Sequence, residues 1–238
     1  MPNEPSIRIN LFTRAAIAAV FERRRGAART LYYTQQTQAL AQPWIEFLHS
    51  KNECALLCSP EELLQQFPQA AEGLLLQTER AQPKAPSHSD VLSWQRAGEA
   101  LVCLQHCDQA ALQTLLPLIA EAGFKNIILD EQQPYPCDKT WSHALGALEL
   151  LKLYRVASLR SFLKSARAHF LTVGISHKEG KSLNTLKPPR APGRPVLLVL
   201  DGQKSASPQT ELTVKIETPD TELPAFFRVL QAANTGVK

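Results

Sequence analysis

The chain has 238 residues, 44% hydrophobic and 20% charged, with a formal net charge of +4 and a pI near 8.8. That is an ordinary globular composition, with room for one large or two medium domains, and its mild basicity is compatible with a nucleic-acid partner without requiring one. No run approaches the roughly 20 apolar residues needed to cross a bilayer, and the five cysteines, an odd number, read as free thiols in a reducing compartment.

The opening Met1-Pro2-Asn3-Glu4-Pro5 lacks the basic-then-apolar order of a secretory signal, so a cytoplasmic location away from membranes is expected. After a short β-rich run at Ile7 to Asn10, an Ala-rich stretch from Leu11 to Glu22 places Ile17, Val20 and Phe21 on one helical face. Arg23-Arg24-Arg25 follows, with Gly26 in position to stop the helix. Thr30 to Thr34 predicts a strand, Gln36 to Ser50 a helix and Glu53 to Cys58 another strand. Ser59 and Pro60 mark a helix start, as N-cap and first helical residue. Gly73 to Thr78 reads as the strand that closes a unit covering residues 1–80.

Residues 81–90 hold Pro83, Pro86, Ser87 and Ser89 without a hydrophobic period, which predicts a linker. From 91 to 238 strands alternate with helices. Strands are expected at 100–104, 126–129, 154–156, 170–174, 195–200 and 212–216. Helices are expected at 108–122, 142–151, 159–168 and 223–234, and a Pro-rich excursion loop at 177–194. This alternation predicts an α/β domain built on a mostly parallel sheet. Its centre is Val196-Leu197-Leu198-Val199-Leu200, five aliphatics between Pro195 and the turn Asp201-Gly202-Gln203. Ligands of open α/β sheets sit at the carboxyl ends of such strands, so Asp201 marks the place to look for a site.

The order of parts resembles the SpoU (TrmH) family of SPOUT RNA methyltransferases over nearly the whole chain. The residues that carry the likeness are Arg14 to Tyr33, Gly146-Ala147-Leu148-Glu149 with Tyr154-Arg155-Val156 and Phe162-Leu163, Phe170 to Gly174, and Pro195 to Leu200. The resemblance implies a small ribosomal-protein-like α/β domain that binds RNA, joined to a SPOUT domain whose C-terminal part is tied in a trefoil knot. It further implies dimerisation through the knot, S-adenosylmethionine as methyl donor, and transfer to a ribose 2′-hydroxyl of tRNA or rRNA. By this likeness the donor lies near Asp201, Ile216 and Leu223, and the RNA contacts Arg14, Arg23, Arg24, Arg25 and Arg29.

The polar positions of the family signatures are replaced. Counting back from Gly123, the Asn, Gly and Arg of Asn-x-Gly-Ala-x-x-Arg fall on Ala111, Gln113 and Pro117, and none of these supplies a guanidinium. Pro117 is also expected to kink or break its helix. Gly-Asn-Glu becomes Asp201-Gly202-Gln203, and Ser-Leu-Asn becomes Glu222-Leu223-Pro224. A 2′-hydroxyl is a poor nucleophile at neutral pH, so losing positioned acid–base and electrostatic help removes turnover. No catalytic residue is assigned. The expectation is an RNA-binding homologue without transfer. The alternative is an active methyltransferase with unrecognised catalytic residues.

Blander readings stand beside these. The arginine run also suits a solvated helix C-terminus. Cys54/Cys58 and Cys103/Cys107, the latter beside His106, have a spacing that suggests zinc, but their strand-like runs favour inert buried thiols, and no metal is expected. Asp201 and Glu222 read either as a carboxylate pair or as two solvated acids.

Overall fold

The computed structural model describes residues 6–176, 181–182, 194–201, 210, 212–215 and 222–227. In chain order the first elements are β1 (Ser6–Leu11), α1 (Arg14–Arg23), β2 (Ala28–Tyr33), α2 (Gln38–Ser50), β3 (Cys54–Leu57), α3 (Pro60–Gln66) and β4 (Leu74–Ala81). Then come α4 (His88–Ala97), β5 (Leu101–Gln105), α5 (Gln109–Glu121), β6 (Asn126–Asp130), α6 (Asp138–His143), β7 (Lys152–Val156) and α7 (Leu159–Ala166). The last strands are β8 (Leu171–Ser176), β9 (Lys181–Ser182), β10 (Val196–Asp201) and β11 (Leu212–Lys215), and residues 222–227 are helical. Two compact units emerge. One comprises Met1–Gln82 with Pro136–Leu150, the other Pro83–Tyr135 with Leu151–Lys238.

The first unit is built on a four-stranded sheet in the order β1-β4-β2-β3. β4 runs antiparallel to both β1 and β2, and β3 lies parallel to β2 at the edge. Leu74, Leu75 and Leu76 of β4, Leu31 of β2 and Ile9 and Leu11 of β1 are buried. Ala16, Ile17, Val20 and Phe21 of α1 are buried too, and Phe21 stacks on Trp44 with centroids 5.4 Å apart. α1 ends sooner than Gly26 suggests, at Arg24, and a 3-10 turn over Arg25–Ala27 leads into β2. α3 starts as expected: the Ser59 hydroxyl accepts from the Glu62 N–H while the Glu62 carboxylate accepts from the Ser59 N–H.

The segment from Pro136 to Leu150 differs from the single helix expected over 142–151. α6 stops at His143, Leu145 and Gly146 take positive φ of 49° and 89°, and a 3-10 turn covers Ala147–Leu150. Two successive left-handed residues cannot continue a right-handed helix, and the second is the glycine that tolerates this conformation. Glycine is also required by space, because a Cβ on Gly146 would lie 2.5 Å from the Ala19 Cβ. The segment is held by polar contacts. Asn10 Nδ2 donates to Asp138 (2.8 Å), the Phe12 N–H to Ser142 Oγ (3.1 Å), and the Thr13 hydroxyl to the Ser142 carbonyl (2.7 Å). At its end Glu149, with a side chain only 3% exposed, accepts from Arg24 Nε and, at 3.0 Å, from Arg24 Nη2, and lies 3.5 Å from Arg80 Nη1.

The second unit is a seven-stranded sheet in the order β7-β6-β5-β10-β8-β11-β9, with all its pairings parallel. The first four residues of β5 and β6 and the first five of β10 are buried without alternation, the pattern of strands covered on both faces. Around them Trp94, Leu159, Leu163 and Phe170 complete a core with Leu101, Ile128 and Leu197. α4 is an element that the sequence reading lacks. Ser87 and Asp90 form a reciprocal capping box at its start, and Gly98 at φ 66° closes it, so the signal was there in Ser-x-x-Asp and the following glycine. α5 passes through Pro117 unbroken, with Leu112 and Leu116 buried before it and Ile119 and Ala120 after it, so packing on both sides offsets the one lost hydrogen bond. The expected C-terminal knot falls largely on residues outside the described set.

Breaking the Glu149 contact or crowding Gly146 should unfold the first unit early. Glu149→Gln is expected to cost about 3 kcal/mol, because two guanidiniums lose their buried counter-charge. Gly146→Ala should cost about 2–4 kcal/mol from the clash with Ala19 and the left-handed backbone. Urea unfolding followed by far-ultraviolet circular dichroism reads both, and a wild-type midpoint for either would contradict the packing described.

Candidate functional site

The arginines singled out in the sequence have unequal fates. Arg24 is committed: beyond Glu149 it donates to the Thr78 hydroxyl (3.1 Å) and the Glu79 carbonyl. Arg29 lies between Glu53 (3.0 Å) and Glu79 (3.2 Å), and the bond to Glu79 leads the interactions that raise its guanidinium pKa and lower that of Glu79. Arg14, Arg23 and Arg25 are exposed. Arg25 rests its guanidinium 5.4 Å from the centre of the Phe47 ring, and Arg23 lies in the last turn of α1 beside it. Arg14 begins the same helix, so nine residues at about 1.5 Å rise separate it from Arg23 and the two form no single cluster.

The second unit has its polar edge where the strand order reverses. β5 and β10 are neighbours in register, Gln105 beside Asp201. From β5 the chain moves through α5 to β6 on one side, whereas β10 precedes β11, which lies beyond β8 on the other. Such a switch point opens a crevice at the carboxyl ends of the strands. His106 follows β5 with a positive φ of 48°, and its Nδ1 lies 3.2 Å from Asp201 Oδ1. The Asp201 side chain is 4% exposed and that of His106 49%. With the proton on Nδ1 the imidazole donates to the carboxylate and leaves Nε2 as an acceptor.

A cleft of about 590 Å³ adjoins, lined by residues following β5 (Gln105 to Asp108), β6 (Asp130, Gln132 to Pro134) and β7 (Ala157, Ser158). Its acids serve the backbone. Asp108 caps α5 through the Ala111 N–H (2.8 Å), and Asp130 accepts from the N–H groups of Gln132 and Leu159, both at 3.0 Å. Ser158 caps α7 through the Ser161 N–H (3.3 Å). Gln133 is the exception. It is 4% exposed, and among the described residues its carboxamide finds no partner for either Nε2 or Oε1. A buried amide left unpaired costs about 1–3 kcal/mol. Neither Gln133 nor the His106–Asp201 pair was legible as a site: His106 drew notice only beside Cys107, and Gln133 sits in a loop without pattern.

The family positions stay empty of charge. α5 carries Ala111, Gln113 and Pro117 and no lysine or arginine along its length. Of the residues expected at the donor, Ile216 lies outside the described residues, as do Gly202 and Gln203 beside it in the expected site, Leu223 is buried, and Asp201 lies against His106. The cysteines diverge from the buried pairs expected. Cys103 and Cys107 are buried, whereas Cys54 is exposed because β3 is an edge strand. Among the described residues no three His, Cys, Asp or Glu side chains gather as a metal site. Burial alone pushes the Cys103 thiol far up.

No protein-family model and no curated protein matches this sequence. Solved structures do match in fold. The SpoU methyltransferase AviRb from Streptomyces viridochromogenes, in complex with AdoMet, aligns with a TM-score of 0.70 at 15% identity over 97% of this chain and 92% of that one. An rRNA methyltransferase from Sinorhizobium meliloti gives 0.64 at 17% identity, over 98% and 88%. A putative RNA methyltransferase of the TrmH family from Porphyromonas gingivalis gives 0.62 at 13%, over 95% and 88%. The chain therefore has the α/β fold of the SpoU methyltransferases along almost its full length. Among the described residues no helix is long and apolar enough to cross a membrane.

Thiol reactivity tests the local chemistry. Burial pulls the Cys137 thiol up, but hydrogen bonds led by the Thr140 N–H and hydroxyl outweigh it and hold the thiol below its ordinary value. Burial raises that of Cys58. A lower pKa means more thiolate at a given pH, so iodoacetamide near neutral pH should label Cys137 before Cys58 and Cys103, with the half-maximal rate at a lower pH. Peptide mapping reads the order, and Cys103 labelled first would contradict it.

Proposed function

We propose that this protein is an RNA-binding relative of the SpoU (TrmH) RNA methyltransferases that has lost 2′-O-methyl transfer. It acts on structured RNA, tRNA or rRNA, in the cytoplasm as a homodimer joined through a knotted C-terminal region. Residues 1–80, with Pro136–Leu150 packed into the same unit, supply the RNA-binding domain and the rest of 91–238 the methyltransferase-like domain, with 81–90 between them. The observation that carries this reading is α5, which reaches the carboxyl edge of a SpoU-type sheet without a cationic side chain and with Pro117 where the family has arginine. A ribose hydroxyl there meets no permanent positive charge to favour its ionised form. A buried Asp201 side chain also stands where the family keeps a glycine for close approach of its donor. These residues do not suit S-adenosylmethionine, and weak or absent donor binding follows.

Arg23 and Arg25 are the exposed, adjacent cations suited to phosphate, with Arg14 as a separate contact. One observation favours a second reading, an active enzyme. In His106–Asp201 a carboxylate orients an imidazole, the arrangement of a general base.

Calorimetry with S-adenosylmethionine should give no heat, and radiolabelled methyl should not pass to tRNA or rRNA. Labelled RNA that disappears in His106→Ala would establish the second reading instead. Retention of tRNA should weaken in Arg23→Ala and Arg25→Ala, with the slope of log affinity against log salt falling by about one per arginine. Unchanged retention in the double variant would remove this surface from the proposal.

A further inference from the structure

The proposed function leaves Gln133 unexplained. The turn that carries it is held by the main chain: the Gln133 N–H donates to the Asp130 carbonyl (3.0 Å), and its own carbonyl accepts from Arg155 Nη2 (2.6 Å). Among the described residues the carboxamide makes no hydrogen bond, yet it is buried on the wall of the cleft of about 590 Å³. Replacing an unpaired buried amide by an apolar group of like shape is ordinarily neutral or stabilising, so an amide in this place points to a partner from outside the chain.

The surroundings narrow that partner. Asp108 and Asp130 line the cleft, and negative walls disfavour phosphate or carboxylate. A metal ion is disfavoured as well, since both Asp130 oxygens and Asp108 Oδ1 already accept backbone N–H groups. What fits is a neutral planar group with a donor beside an acceptor, the complement of a carboxamide, which offers one of each in a plane. Nucleobase edges have this pattern, and a Gln side chain pairs with adenine through N6 and N7. His106, half exposed and steadied through Nδ1 by Asp201, adds an aromatic face of the kind on which unpaired bases stack. The volume, about 590 Å³, lies within the range of small-molecule sites.

We propose that this cleft binds an unpaired nucleobase, its donor–acceptor edge read by the Gln133 carboxamide and its ring stacked on His106. The proposal rests on the RNA-binding reading and deepens it: the base enters, and the phosphates stay outside the acidic walls.

The test is a titration of the isotope-labelled full-length chain with adenosine, following the Gln133 side-chain amide and the His106 ring by nuclear magnetic resonance, with inorganic phosphate as control. Adenosine should shift both signals and phosphate neither. Gln133→Leu should bind adenosine at least tenfold more weakly while melting at or above the wild-type temperature, a combination that a structural carboxamide would not give. The assignment is overturned if adenosine moves neither signal, if the Leu variant binds it like wild type, or if that variant melts well below wild type. Retention of tRNA with unmoved cleft signals would sink this proposal alone. Adenosine binding without any tRNA retention would sink the RNA reading and leave a nucleoside site.

Discussion

The first unit depends on one buried carboxylate. Glu149 sits at 3% exposure with Arg24 on one side and Arg80 on the other, and Arg80 in turn lays its guanidinium 3.8 Å from the centre of the Trp141 ring. Burying a carboxylate costs several kcal/mol unless counter-charges and hydrogen bonds are in place, so this residue settles only where both arginines are already held. Arg24 is held by the end of α1 and by its bonds to Thr78 and Glu79 of β4. The contact thus ties a helix, a strand and a segment that arrives more than fifty residues after that strand. The left-handed pair Leu145 and Gly146 aims the segment, and small residues at Ala15 and Ala19 leave it room.

This gives the arginine run a divided meaning. A triplet of like residues invites a single explanation, yet its middle member is structural and its outer members are exposed. The difference arises from geometry. Where α1 gives way to a 3-10 turn, consecutive side chains diverge, and only Arg24 reaches Glu149.

The second unit follows a different rule. Its central strands spend nearly all their residues on burial, and polar groups are confined to the carboxyl edge. There the acids cap helices, the histidine pairs with Asp201, and the Gln133 amide is left without a partner among the described residues. An edge with this balance of charge suits recognition of a neutral group better than stabilisation of a developing negative one.

Much of this fold was legible in the sequence because its signals are local. Aliphatic runs bounded by turn residues located β5, β6 and β10, and Ser59-Pro60 located α3. Short-range signals also misled. Pro117 reads as a breaker, but buried leucines and an isoleucine on either side carry α5 through it. A helix pattern over 142–151 is interrupted by two positive φ values that tertiary contact, rather than propensity, imposes. α4 was missed because its capping box lies in a Pro- and Ser-rich stretch that looks like a linker.

By itself the sequence determined the parallel α/β architecture, the order of its strands along the chain and the absence of lysine and arginine from α5, since all three are matters of residue type at a known spacing. Only the tertiary structure decided that Glu149 pairs with Arg24 and Arg80, that Asp201 faces His106, and that the Gln133 amide is enclosed without a partner among the described residues. Each of these joins or isolates groups far apart in the chain. Pairing of that kind is set by how the elements pack, and composition and periodicity carry no record of it.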